Sequence, residues 1–236
     1  MTAPDFICIG HRGARGRAPE NTLAGIRKGL ALGADWIEVD VHRVQGVLVV
    51  IHDQTLNRTT NAQGRVEDQS LESLRKLDAG EGERIPLLSE VLEEVRSRGG
   101  LNIELKGRDT ARAVVEMATE QVARLGWSRD LILISSFDPQ ELQSVRELDP
   151  DIQIGLLVDR VRKDWQELAA SLKVTTLHVD HRRIRSSLVK RAHAMGLRVF
   201  GYTVNLPGEH LRLKRMGVDG VFTDYPDLCK DIKDNT

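Results

Sequence analysis

The chain has 236 residues, 40% of them hydrophobic and 29% charged, with 34 Lys and Arg against 35 Asp and Glu. That composition excludes wholesale disorder and a membrane bundle, and a net charge of −1 gives no global pull toward nucleic acid or an anionic membrane. The length suits one barrel-type α/β domain of roughly 250 residues.

Short β-rich runs alternate with helical patterns along the chain. Strand candidates are residues 6–10, 36–41, 47–52, 101–105, 131–135, 153–158, 176–180, 198–204 and 220–223. Helix candidates are 21–32, 88–98, 110–125, 139–148, 165–172, 186–195 and 207–216, with a terminal piece at 226–232. Such alternation argues for a parallel sheet with right-handed crossovers. One run breaks the pattern. Five residues separate Val41 from Val47, whereas a parallel crossover needs about a dozen or more. The run 47–52 therefore returns antiparallel, as the second arm of a hairpin. Eight parallel strands remain, which predicts a (β/α)8 TIM barrel with a β-hairpin extension after strand 2. A doubly wound open sheet is the alternative, but no glycine fingerprint follows the first strand.

No low-complexity stretch or linker divides the chain, so residues 1–236 read as a single domain. Within it, 54–86 reads as a short loop insertion, with turn signals at Asn61, Gly64, Gly80 and Gly82 and a short helix expected around 71–77. Two cysteines, Cys8 and Cys229, stand far apart. That usage suits a reducing compartment and predicts a cytoplasmic protein, with a terminus-to-terminus disulfide as the alternative. No signal peptide and no transmembrane run is read.

The chemistry concentrates at predicted strand ends. In Glu38-Val39-Asp40 the alternation of strand side chains sends both carboxylates to one face, opposite Ile37, Val39 and Val41. In a barrel that face is the interior. The same alternation aligns Asn102, Glu104 and Lys106. Three inward carboxylates repel one another unless cations compensate them, and they suit a hard divalent ion such as Mg2+ or Ca2+. A salt-bridged interior balanced by Arg and Lys is the alternative. The first strand ends in His11-Arg12-Gly13, and the hairpin return ends in His52-Asp53. Catalytic groups of barrels gather at strand C-terminal ends. Two histidines beside such a site offer one general acid and one general base. Arg12 and Lys106 add positive charge without ligating a metal, which points to an anionic substrate, phosphate above all. Glu20 and Asn21 precede the first helix, where Asn21 reads either as an N-cap or as a functional residue beside Glu20.

These residues, in this order, resemble the glycerophosphodiester phosphodiesterases. The resemblance rests on His11-Arg12-Gly13, Pro19-Glu20-Asn21-Thr22, Glu38-Val39-Asp40-Val41, His52-Asp53 with Leu56 and Arg58-Thr59-Thr60, and Glu104-Leu105-Lys106. Ser135-Ser136-Phe137, Tyr202-Thr203-Val204-Asn205, Gly217-Val218-Asp219-Gly220 and Thr223-Asp224-Tyr225-Pro226 extend it over almost the whole chain. The resemblance implies a TIM barrel, one divalent cation and hydrolysis of glycerophosphodiesters to sn-glycerol 3-phosphate and an alcohol, hence a place in glycerol and lipid metabolism. It implies Glu38, Asp40 and Glu104 as metal ligands, His11 and His52 as the acid–base pair, and Arg12 and Lys106 as phosphate anchors. The expected partner is a small-molecule diester, not nucleic acid; the oligomeric state is left open. A lysophospholipase D on the same scaffold and a silent phospho-ligand-binding barrel are the alternatives.

Three features depart from the family pattern. Tyr202 stands where Trp is common, so the substrate wall is altered. The hairpin turn 43–46 lacks Lys-Asp-Gly. The stretch 77–86 is short, which predicts an open mouth. Among the rest, Phe137 reads as an apolar wall of the site or as core, and Trp127 and Trp165 as helix–barrel packing. His42 reads as a hairpin residue, His178 and His181 as strand and strand-end residues, and His193 and His210 as surface positions on helices.

Overall fold

In the computed structural model, residues 6–96, 98–161 and 164–229 are described. The elements run β1 (Ile7–Gly10), α1 (Leu23–Ala31), β2 (Trp36–Val44), β3 (Val47–Val50), α2 (Leu71–Leu74), α3 (Leu88–Val95) and β4 (Gly100–Leu105). They continue α4 (Ala111–Leu125), β5 (Ile132–Ser136), α5 (Pro139–Leu148), β6 (Gln153–Val158), α6 (Trp165–Ser171) and β7 (Thr176–Asp180). The last are α7 (Ser186–Ala194), β8 (Arg198–Tyr202), α8 (Pro207–Arg215) and β9 (Gly220–Thr223). A 3-10 turn, Pro226–Cys229, stands where a terminal piece is expected, and residues 230–232 of that piece lie outside the described residues.

Strand β1 pairs in parallel with both β9 and β2, so the sheet closes on itself and the open-sheet alternative falls. Eight parallel strands form the ring. β3 bonds outside it, antiparallel to β2. The hairpin is tighter than the sequence suggests. β2 continues to Val44, and only Gln45 and Gly46 form the loop, with φ of 50° and 83°. Two positive φ values give the primed turn whose twist matches the flanking strands, and Gly46 supplies one of them without steric cost.

Strand alternation sorts the core into two layers. Ile37, Val39 and Val41 of β2 and Leu101, Ile103 and Leu105 of β4 join the main cluster between barrel and helices. Ile9, Trp36, Leu133, Phe200 and Phe222 form a second cluster. Against it, the His178 ring lies 5.5 and 4.9 Å from Phe200 and Phe222. Trp127 and Trp165 pack in the main cluster as expected. The 54–86 segment has its own small core, in which Leu56, Val66, Leu74 and Ile85 pack on Val44, Val49 and Ile51 of the hairpin. It is an ordered appendage anchored to β3.

Local signals explain most helix starts. Asp138 accepts a hydrogen bond from Gln140 N at 2.9 Å, with Pro139 in the first turn of α5. α1 differs from expectation. Its cap is Thr22, whose Oγ1 accepts from Gly25 N at 3.0 Å, because Asn21 is turned away into the barrel. His210 is a second correction. It is fully buried and donates from Nε2 to Val204 O at 2.8 Å, since it shares the inner face of α8 with Leu213. Cys8 and Cys229 are both buried and no disulfide joins them, which removes the disulfide alternative. Among the described residues no helix is long and apolar enough to cross a membrane.

Candidate active site

The parallel register of β2 and β4 sets Glu38 beside Asn102 and Asp40 beside Glu104. All three carboxylates point into the barrel and are buried, and one oxygen or more from each lies within 4.8 Å of the others. Two cations face them. Lys106 Nζ is 2.5 Å from Glu104 Oε1 and 3.5 Å from Asp40 Oδ1. Arg12 Nε is 3.3 Å from Asp40 Oδ2.

Three buried anions against two cations leave the cluster short of positive charge, and the ionisation of its members diverges accordingly. Burial, together with the charges of Asp40 and Glu104, drives the Glu38 carboxyl well above the ordinary carboxylate range. Burial and the Asp40 charge likewise push Glu104 up to about 7. Burial opposes ionisation of Asp40 too, but Lys106 and Arg12 overcome it and hold this carboxyl low. Glu38 Oε2 accepts the Arg12 backbone N–H at 2.8 Å, while Glu38 Oε1, also buried, has no hydrogen-bond partner among the described residues. An orphaned carboxylate oxygen within reach of two more carboxylates is what a divalent oxygen-ligated cation would satisfy. The residues present therefore fit a metal.

The loop after β1 is shaped for this cluster. Arg12 and Asn21 both adopt positive φ, 50° and 55°. Non-glycine residues there store strain that the surroundings must hold. Asn21 donates from Nδ2 to Asp40 Oδ2 at 2.8 Å and accepts the Asp40 N–H at 3.2 Å, so it braces a carboxylate from behind. Glu20 accepts from Arg12 Nη1 at 2.7 Å and pairs with Arg15 Nε at 3.1 Å. Glu20 thus serves the arginines. Gly13, with φ of 88°, has no room for a Cβ, which would stand 2.5 Å from the Gly25 carbonyl carbon.

Two histidines flank the cluster in matching arrangements. His11 Nδ1 lies 2.7 Å from Asp224 Oδ1, and His52 Nδ1 lies 2.6 Å from Asp53 Oδ1. A carboxylate only accepts, so each neutral imidazole carries its proton on Nδ1 and keeps Nε2 as a lone pair. Burial, against the Asp224 hydrogen bond and with help from Arg12, lowers the His11 pKa. Burial also lowers that of His52, with Lys106 and Arg12 acting in the same direction. Both rings are therefore poised neutral near pH 7.

A cavity of about 220 Å3 joins these groups. His11, Arg12, Glu38, His52, Glu104 and Lys106 line it together with Phe137, Leu157, Tyr202 and Phe222. Phe137 and Tyr202 meet edge to face, ring centres 6.0 Å apart, and Lys106 Nζ lies 5.6 Å from the Phe137 ring centre. Tyr202 donates its hydroxyl toward Val158 O at 3.1 Å. Burial then raises its pKa beyond the ordinary phenol range, with the nearby Asp159 charge adding to it. Phe137 keeps 39% of its surface exposed and forms an apolar rim.

The sequence-predicted residues thus converge: Glu38, Asp40, Glu104, His11, His52, Arg12, Lys106, Phe137 and Tyr202 share one mouth, with Glu20 and Asn21 behind it. His42 touches the site indirectly, its Nε2 lying 3.2 Å from His52 O. His178 is buried in the barrel beside Thr176 Oγ1 at 2.9 Å and does not line the cavity. His181 pairs with Glu209 at 3.4 Å and His193 with Asp219 at 2.9 Å, both away from it. Asp53 and Asp224 stand in the sequence motifs without a pattern that assigns them a role. Barrel closure held the signal for Asp224: Gly10 pairs with Thr223, so the next residue of each strand, His11 and Asp224, must meet.

Comparisons with known proteins show what the chain as a whole is similar to. The model of the glycerophosphoryl diester phosphodiesterase family matches residues 11–228. A glycerophosphodiester phosphodiesterase of Caldanaerobacter subterraneus subsp. tengcongensis is 36% identical, over 96% of this chain and 97% of its own length. One of Bacillus subtilis is 32% identical, over 99% of this chain and 88% of its own. Among solved structures, an Oleispira antarctica phosphodiesterase in complex with the product sn-glycerol-3-phosphate superposes with a TM-score of 0.90 at 33% identity, covering 98% of both chains. A glycerophosphodiester phosphodiesterase of Thermotoga maritima gives 0.83 at 28% identity, covering 96% of this chain and 98% of its own.

Proposed function

This chain belongs to the glycerophosphoryl diester phosphodiesterase family, and on that footing we propose that it hydrolyses glycerophosphodiesters to sn-glycerol 3-phosphate and an alcohol at the β-strand C-terminal mouth. The observation that carries the reading is the juxtaposition of a three-carboxylate cluster with two His–Asp pairs in one cavity.

Glu38, Asp40 and Glu104 would hold one divalent cation, Mg2+ or Ca2+. Bound there, it supplies charge neutralisation at a non-bridging phosphate oxygen. The protein's own groups do the rest. Lys106 and Arg12 face the cavity and meet the phosphate's remaining charge. One histidine takes a proton on Nε2 from the attacking hydroxyl as the new P–O bond forms. The other, protonated to the imidazolium as the anionic phosphate binds beside it, delivers its Nε2 proton to the leaving alkoxide as the old P–O bond breaks. Asp53 and Asp224 stabilise whichever imidazole is charged, as a carboxylate does for a catalytic histidine elsewhere. The attacking group is water, or a substrate hydroxyl by way of a cyclic phosphate. The aromatic pair Phe137 and Tyr202 forms an apolar wall beside Lys106, and the short 54–86 cap leaves the alcohol side open to varied head groups. One unit, 1–236, carries the whole site, in the cytoplasm, where its two buried thiols remain reduced.

The exposed rim at Phe137 also favours a second substrate class, lysophospholipids, whose acyl chain would rest on it. The test is a substrate panel: glycerophosphocholine, glycerophosphoethanolamine, glycerophosphoglycerol and a lysophosphatidylcholine, with products identified by 31P NMR. The reading predicts sn-glycerol 3-phosphate from the short diesters. Phosphocholine as the phosphorus-bearing product, or no turnover of any diester with either cation, overturns it.

A further inference from the structure

Arg58, in the 54–86 segment, touches none of the reacting groups assigned above, yet its guanidinium is fully engaged along two edges. Nε and Nη2 donate to Asp53 Oδ2 and Oδ1 at 2.7 and 3.0 Å. Nη1 and Nη2 donate to Glu20 Oε2 and Oε1 at 2.7 and 2.8 Å. The same Asp53 Oδ1 receives His52 Nδ1 at 2.6 Å. Glu20 in turn accepts from Arg12, which pairs with Asp40. From the neutral His52 ring, a line of alternating charge thus runs through Asp53, Arg58, Glu20 and Arg12 to the carboxylate cluster.

The two histidine partners are secured by different means. Asp224 is held by Asn205, which donates from Nδ2 to Asp224 Oδ2 at 2.8 Å and accepts the Asp224 N–H at 2.9 Å. Asp53 is partly exposed and follows His52 directly in an irregular stretch, where neighbouring side chains have no built-in reason to face each other. Arg58 supplies that reason. Its own position is fixed by the hydrophobic core under the insertion, through the buried neighbour Leu56, whose carbonyl accepts from Thr60 Oγ1 at 2.8 Å.

We propose that Arg58 is a positioning residue: it locks Asp53, through it keeps His52 in the Nδ1-protonated tautomer with Nε2 facing the cavity, and ties this pair to Glu20 across the mouth. A planar fork with donors on two edges is required, so lysine cannot replace it. The inference rests on the reading of His52 as a proton-transfer group, and the experiment separates the two.

Wild type, Arg58→Ala, Arg58→Lys, His52→Ala and the double variant Arg58→Ala/His52→Ala are assayed with divalent cation and glycerophosphocholine. Arg58→Ala should lower kcat roughly 10–100-fold, the range for losing a partner that orients a functional histidine, with KM changed less than about threefold. Added guanidinium should restore part of the Arg58→Ala rate, and Arg58→Lys should stay impaired. In the His52→Ala background Arg58→Ala should cost less than about twofold, because its effect passes through the ring already removed. Independently of turnover, 15N NMR of the imidazoles should show His52 protonated on Nδ1 in wild type and shifted toward the Nε2-protonated form in Arg58→Ala. Where Arg58→Ala does not fold, Arg58→Gln takes its place. An equal loss in both backgrounds, or an unchanged His52 tautomer, overturns the inference. A wild type inactive on the diester overturns the functional reading instead, and the tautomer then decides the role of Arg58 alone.

Discussion

Replacing Glu104 by glutamine should stabilise the metal-free protein while removing much of its response to divalent cations. The Glu104 carboxyl is displaced from its ordinary 4.5 to about 7 by burial and by Asp40. The folded protein therefore holds this proton more tightly than the unfolded chain does. The stability tied to that proton is complete below about pH 4.5 and is lost as pH rises through 7. At roughly 1.4 kcal/mol per unit, ionised Glu104 costs the metal-free fold about 3 kcal/mol at pH 8. Glutamine keeps the shape and an acceptor for Lys106 without the charge. In chelator, Glu104→Gln should match wild type near pH 4.5 and exceed it by up to about 3 kcal/mol at pH 8. For a chain of this size that is roughly 6–12 °C in Tm. Saturating Mg2+ or Ca2+ should narrow or invert the order. Wild type gains about 2.7 kcal/mol at a hundred times Kd, whereas a site with two charged ligands gains far less. Thermal melts from pH 4.5 to 8.5, in chelator and in cation, read all of this. A variant less stable than wild type in chelator at pH 8, or with an undiminished cation-induced rise, would refute the reasoning.

Other expectations follow from the same geometry. His11→Ala and His52→Ala should each lower turnover by about 10²–10⁴; near-normal kcat in either variant removes that ring from proton transfer. Because burial lowers the pKa of both rings, the basic form persists to lower pH, and the acid limb of kcat/KM should fall below the ordinary histidine value of 6.5; a limb centred above pH 7 contradicts this. Lys106→Ala should lower kcat/KM without weakening cation binding, since Lys106 pairs with Glu104 and Asp40, the carboxylates proposed to hold the cation; calorimetric titration showing a weaker site would reverse that assignment. Arg12→Lys should be as damaging as a charge-removing change, because one ammonium cannot span both Glu20 and Asp40; wild-type kcat/KM in that variant would show that the planar fork is dispensable.

Much of this arrangement is legible in the sequence, because period-two alternation carries real geometric content. Glu38 and Asp40 between Ile37, Val39 and Val41 can face only one way in a strand buried on both sides. The five residues after Val41 forbid a parallel return, so the hairpin and the count of eight follow. What alternation cannot supply is the behaviour of irregular segments. Asn21 reads as a sound cap, but Asp40 draws it inward and leaves the helix to Thr22, a choice local sequence does not encode. His210 reads as a surface position by polarity alone, but the inner face of α8 buries it and Val204 O satisfies it. The roles of Glu20 and Arg58 depend on contacts across 38 residues of chain and emerge only once the insertion is folded onto the mouth.

The central claim is that Glu38, Asp40 and Glu104 bind one divalent cation beside which both histidines meet a phosphate. A crystal grown with Mn2+ and sn-glycerol 3-phosphate, with data collected at the manganese edge, addresses it directly. One strong anomalous peak is expected among these three carboxylates, with the phosphate between the Nε2 atoms of His11 and His52. An empty cluster at saturating Mn2+, or a phosphate seated away from both imidazoles, would contradict it.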